Sequence, residues 1–234
     1  IIAHELQHLL HNAQDPYENL WLDEGNADVA IYLCFGADGT LAGHLNGWTQ
    51  QSDLSVRWWN QRNGDYGAGF IFTMYLADHL GGGPAVRQLV QDSATGGLGV
   101  ENLALSPVSG QSGKIGRTMG EIFANFSIAA TIDSDQGIYG FSNLDLNPSC
   151  GGSTFCRITP ADTNSDWSTP WSSTGHTMEG WGIRSFKFTP GAASPAPLTP
   201  GAWDPAGAVA SCSGGCPGGP SSPAQAADAD QADE

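Results

Sequence analysis

His4-Glu5-Leu6-Gln7-His8 has the form HExxH and lies in a run, residues 1 to 13, that no Gly or Pro interrupts. Residues four apart share one face of a helix, so the spacing predicts a helix on which His4 and His8 aim both imidazoles at a single point. Two imidazoles with a neighbouring carboxylate are ligands and base for Zn2+ chemistry. His4 and His8 are therefore the expected metal ligands and Glu5 the expected catalytic base. Ile2, Leu6, Leu9 and Leu10 form an apolar stripe, which predicts that this helix is buried through that face.

A catalytic zinc normally takes three protein ligands and leaves one position open, so a third donor is expected downstream. His11 shares the face of His4 and His8 but lies about 4.5 Å further along the axis than His8, past an ion held between the first two. It reads as a solvated or capping histidine. An extended HExxHxxGxxH pattern needs Gly at position 11 and His at position 14, where this chain has His11 and Gln14, which excludes that class. Glu24 opens a second apolar run through Val29, Ala30, Ile31, Tyr32 and Leu33. On a helix packed against the first it completes a His-His-Glu set, and Asp28, one turn on, is placed to accept the free ring N–H of a ligating histidine.

These segments together resemble the gluzincin metallopeptidases, in which HExxH is followed by a glutamate on the next helix and an acid four residues later. Leu20-Trp21-Leu22-Asp23-Glu24-Gly25 is similar to the WLNEG segment of the aminopeptidase N and hyicolysin-like groups. Only 15 residues separate His8 from Glu24, fewer than in the thermolysin and aminopeptidase N types, so a tighter connecting loop is expected. Residues 65 to 82 read as an amphipathic helix ended by glycine. They resemble the tyrosine helix of the same families, in which Tyr-x-x-Gly opens a helix that closes on Leu-Gly-Gly, with a short helix after it, here Pro84 to Gln91. That resemblance implies that Tyr66 donates its phenol O–H to the oxyanion. His79 and His176 compete for the role, because a thermolysin-like site uses a histidine there.

The same resemblance implies zinc-dependent hydrolysis of peptide bonds in a peptide or protein substrate, with a lean toward endopeptidase action. It also implies a fold that is mainly α with a few short β-strands: the C-terminal, helical part of a zincin-type α+β catalytic domain. The sheet whose edge strand holds substrate precedes the zinc helix in that family and is missing here. The chain starts with Ile1 on the zinc helix and without an initiator Met, so an upstream N-terminal segment of the same protein is expected, and activity is expected of the complete protein.

With 234 residues, 40% of them apolar, the chain can bury one good core. We expect a catalytic domain over 1–190 and a Pro/Gly/Ala-rich disordered tail over 191–234. A net charge of −16 with only 8 basic residues argues against nucleic acid as a partner. No stretch approaches the roughly 18 apolar residues of a membrane span. Cys150 to Cys156 and Cys212 to Cys216 enclose loops short enough to close locally, which predicts two disulfides, while Cys34 is expected to be free and buried. Disulfides point to a secreted, cell-surface or periplasmic protein, expected as a monomer.

Along the chain the pattern predicts the zinc helix, the glutamate helix, a Trp-rich connector with Trp48, Trp58 and Trp59, the tyrosine helix, a short helix, a Gly/Ser loop near 94–117, and a core helix over 120–132. Residues 182–189 alternate apolar and polar side chains as a strand does. A rival class is a carbohydrate-binding or adhesion module, since eight tryptophans could stack on sugar rings. An inactive zinc-binding peptidase relative is a third.

Overall fold

The computed structural model describes residues 1–106, 112–135, 137–148, 154–160, 162–164 and 178–188. Among these the chain is mainly helical: α1 (Ile2–Gln14), α2 (Leu20–Phe35), α3 (Gly39–Thr49), α4 (Asn63–Leu80), α5 (Gly83–Gln91), α6 (Gly96–Leu105) and α7 (Met119–Ile132). Two three-residue strands, β1 (Asp162–Asn164) and β2 (Phe186–Phe188), pair in one small sheet. The chain divides into a unit of residues 1–164 with 172–187 and a unit of 165–171 with 188–234; all seven helices lie in the first.

α4 organises the fold. Its sequence Phe70-Ile71-Phe72-Thr73-Met74-Tyr75-Leu76 is apolar on nearly every side, and all seven residues are buried, as a helix without a polar face must be. α2 and α3 pack on it, and α7 closes the far side. Phe126 of α7 lies with ring centroids 5.1 Å from Phe72, 5.7 Å from Tyr75 and 5.9 Å from Trp48, so aromatic side chains from three helices share one cluster. Each such ring removed from water contributes about 1.5–3 kcal/mol.

Glycine sets how closely α2 approaches α4. A Cβ added at Gly25 would fall 2.5 Å from the Gly69 carbonyl oxygen, and one at Gly69 would fall 2.5 Å from the Trp21 carbonyl oxygen. The two backbones touch at this crossing, which fixes the height and rotation of α2 at the residue next to Glu24. α7 begins with a capping box in which Thr118 and Glu121 each bond the other's backbone N–H. Asp65, 2% exposed, accepts from the backbone N–H of Asn60 and Arg62 and pairs with the Arg62 guanidinium, anchoring the start of α4.

Several expectations are corrected. The stripe expected to bury α1 is exposed: Ile2 is 83%, Leu6 51%, Leu9 70% and Leu10 58% accessible. α1 instead buries its opposite face, with Gln7 and His11 inside, because α2 presents carboxylates that the histidine face can pair with. His11 is thus neither solvated nor a cap; it is 1% exposed. The Trp-rich connector contains α3, and the Gly/Ser loop contains α6. Cys34 is free but exposed, because it falls on the outer side of the last turn of α2 beside exposed Leu33 and Phe35. Of the strand expected over 182–189, Phe186–Phe188 is extended and paired. Cys156 is disulfide-bonded; Cys150, Cys212, Cys216 and residues 191–234 lie outside the described residues. Among the described residues no helix is long and apolar enough to cross a membrane.

Candidate metal centre

α1 and α2 bring His4, His8 and Glu24 together. His4 Nε2 lies 3.2 Å from His8 Nε2 and 3.2 Å from Glu24 Oε2, and His8 Nε2 lies 3.4 Å from the same oxygen. This nearly equilateral triangle is a possible metal-holding group. Ligand atoms at about 2.0–2.1 Å from a tetrahedral Zn2+ stand about 3.3–3.4 Å apart, the size of this triangle. Glu24 Oε2 is also buried, with the two Nε2 atoms beside it.

The other nitrogen of each ring is occupied. Asp28, fully buried, faces His4 Nδ1 at 3.1 Å with one oxygen and His44 Nδ1 at 2.7 Å with the other. Asp23 does the same for the second ring, 2.8 Å from His8 Nδ1 and 2.7 Å from His11 Nδ1. With Nδ1 facing a carboxylate, each ring is oriented so that Nε2 points to the shared site, where it can ligate a metal that displaces its proton. Asp28 therefore stands where the sequence predicts it. Asp23 and His44 were not legible as members of the site. The available signal for Asp23 is helical phase, since Asp23, Glu24 and Asp28 fall within about 140° of arc on α2.

Charge follows the same pattern. Hydrogen bonding to Asp28 and then to Glu24 raises His4 to about 9, against the cost of burial. Bonding to Asp23 and then Glu24 raises His8 to about 10. Burial pushes Glu24 and Asp23 upward, but the hydrogen bonds from the facing histidines outweigh it and hold each at about 2. Three carboxylates around two imidazoles make a site that favours positive charge, whether carried by protons or by a cation.

Glu5 is exposed on α1 next to His4 in the chain, and its charge reaches the Tyr66 phenol. Tyr66, half-buried at the start of α4, stacks on His44 at 4.7 Å, meets Trp59 edge-on at 4.7 Å, and lies 6.5 Å from the His4 ring. Burial first, then the charges of Glu24 and Asp28, push its phenol above the usual value, so it stays a proton donor. His79 sits 13 residues further along α4, roughly 20 Å at helical rise, and bonds the Gly140 carbonyl at 3.0 Å. It cannot stand in for Tyr66. His176 lies outside the described residues. No protein-family model matches the chain, and no curated protein does.

Proposed function

We propose that this chain carries the catalytic metal centre of a zinc-dependent peptidase of the gluzincin type, with His4, His8 and Glu24 as ligands. The single observation behind this reading is the convergence of the three atoms at 3.2–3.4 Å while Asp28 and Asp23 occupy the far side of both rings. His4, His8 and Glu24 would hold Zn2+, which would supply Lewis-acid activation of water and of the substrate carbonyl. Glu5, the neighbour of His4 in the HExxH sequence, takes a proton from the attacking water and returns it to the leaving amine. Tyr66 keeps its O–H and directs it at the oxyanion; stacking on His44 holds the ring in place. Asp28 and Asp23 orient the ligating rings and hold their Nδ1 protons. The resemblance favours an endopeptidase that is exported.

A sugar-binding reading fits the tryptophans less well. Trp21 and Trp48 are core residues, and among the described tryptophans only Trp58 is exposed. Glu5→Gln in the complete protein tests the proposal: it should keep stoichiometric zinc and lose turnover by about 10²–10⁴-fold. Full peptidase activity in that variant would reject Glu5 as the base. Zinc without turnover in the unmodified complete protein would mark an inactive relative.

A further inference from the structure

A second cluster lies at the other end of α1. His11, Asp15 and Glu18 each offer one ligand atom, all within 4.8 Å of one another. His11 and Asp15 are 1% and 5% exposed, and His11 Nε2, Asp15 Oδ2 and Glu18 Oε2 are all buried without a hydrogen-bond partner. In every case the residue's other polar atom is tied down. His11 Nδ1 donates to Asp23 at 2.7 Å, Asp15 Oδ1 accepts from the Tyr17 backbone N–H at 3.1 Å, and Glu18 Oε1 accepts from the backbone N–H of Asn19 and Gly96, each at 2.6 Å. Three side chains that come within ligating reach of one another are thus each fixed through one atom, while the other is buried without a partner.

Asp15 Oδ2 and Glu18 Oε2 are acceptors, and a neutral His11 ring with Nδ1–H turned to Asp23 offers Nε2 as a third. A proton shared inside the cluster can join two of them and leaves the third without a partner. A divalent ion satisfies all three. One imidazole with two carboxylates suits zinc-class transition ions, whereas Ca2+ and Mg2+ take all-oxygen sets.

We infer that His11, Asp15 and Glu18 form a second metal site for a zinc-class divalent cation, which locks the α1–α2 turn. Asp23 joins the two centres, because its carboxylate takes His11 with one oxygen and His8 with the other. An ion on His11 therefore braces the group that orients His8. This site is separate from the proposed catalytic one and stands or falls independently of it.

The test is the number of Zn2+ equivalents bound per chain near neutral pH, with excess Mg2+ masking surface carboxylates. It compares the unmodified protein, the His4→Ala/His8→Ala variant and the Asp15→Asn/Glu18→Gln variant, each checked for cooperative unfolding. Two equivalents in the unmodified protein and one in each variant support the site. One equivalent in the unmodified protein, lost only in the Asp15→Asn/Glu18→Gln variant, supports this site and removes the catalytic one. One equivalent lost only with His4 and His8 overturns the inference, as does an Asp15→Asn/Glu18→Gln variant that still binds two. Should the latter variant fail to fold, the histidine variant decides: one retained equivalent supports the site and none overturns it.

Discussion

Replacing Asp28 by Asn probes how the candidate centre is built. Asp28 is fully buried and serves two ring N–H groups at once, His4 at 3.1 Å and His44 at 2.7 Å. Asparagine has nearly the same shape but only one acceptor oxygen, so its NH2 must face one ring N–H donor to donor. The shorter partner, His44, is expected to keep the oxygen, leaving His4 free to turn or to change tautomer. Losing such a carboxylate behind a ligating histidine costs about 10–100-fold in metal affinity, or about 1.4–2.7 kcal/mol. Competition against a chromophoric zinc chelator reads this directly, and far-UV circular dichroism confirms that α1 and α2 persist. An affinity unchanged within about twofold in a folded D28N protein would refute the idea that Asp28 holds His4 for the ion.

Three other outcomes are expected. Tyr66→Phe should lower kcat of the complete protein by about 10²–10³-fold with KM and zinc content nearly unchanged, seen in steady-state peptide hydrolysis. Gly25→Ala should destabilise the fold by about 1–3 kcal/mol, read from denaturant melts, because its Cβ meets the Gly69 carbonyl oxygen at 2.5 Å. In chelator-treated protein the folded-state values of His4 and His8 are raised to about 9 and about 10 from 6.5, so their protonated rings stabilise the fold fully below 6.5. That contribution fades as pH rises through 9 to 10. Melting temperatures of the metal-free protein should fall across this window more than those of a His4→Ala/His8→Ala variant.

The helical phase of α1 and α2 was readable because ligand spacing of four residues repeats the turn, and Asp28 follows Glu24 by the same step. Which face of α1 turns inward was not. Its apolar stripe outranks its histidine face on any hydrophobic scale, and only the carboxylates of α2 reverse the order. α3 and α6 escaped notice because Gly39, Gly43 and Gly47 in one, and Gly96, Gly97 and Gly99 in the other, lower intrinsic helix propensity. Packing overrides it: Leu41, Leu45 and Trp48 lie at helical spacing and are fully buried, and Asp38 caps Leu41 N–H at 2.8 Å. The cluster of His11, Asp15 and Glu18 was invisible for another reason. Its parts meet across a turn whose shape depends on Gly96, 78 residues beyond Glu18.

The central claim is that two imidazoles and one carboxylate meet at a single cation between α1 and α2. A crystal structure of zinc-soaked protein with anomalous data at the zinc edge tests it most directly. A peak is expected about 2.0–2.2 Å from His4 Nε2, His8 Nε2 and a Glu24 oxygen. A well-ordered protein in saturating zinc with no peak at that point, or with Glu24 turned away from the ion, would contradict it.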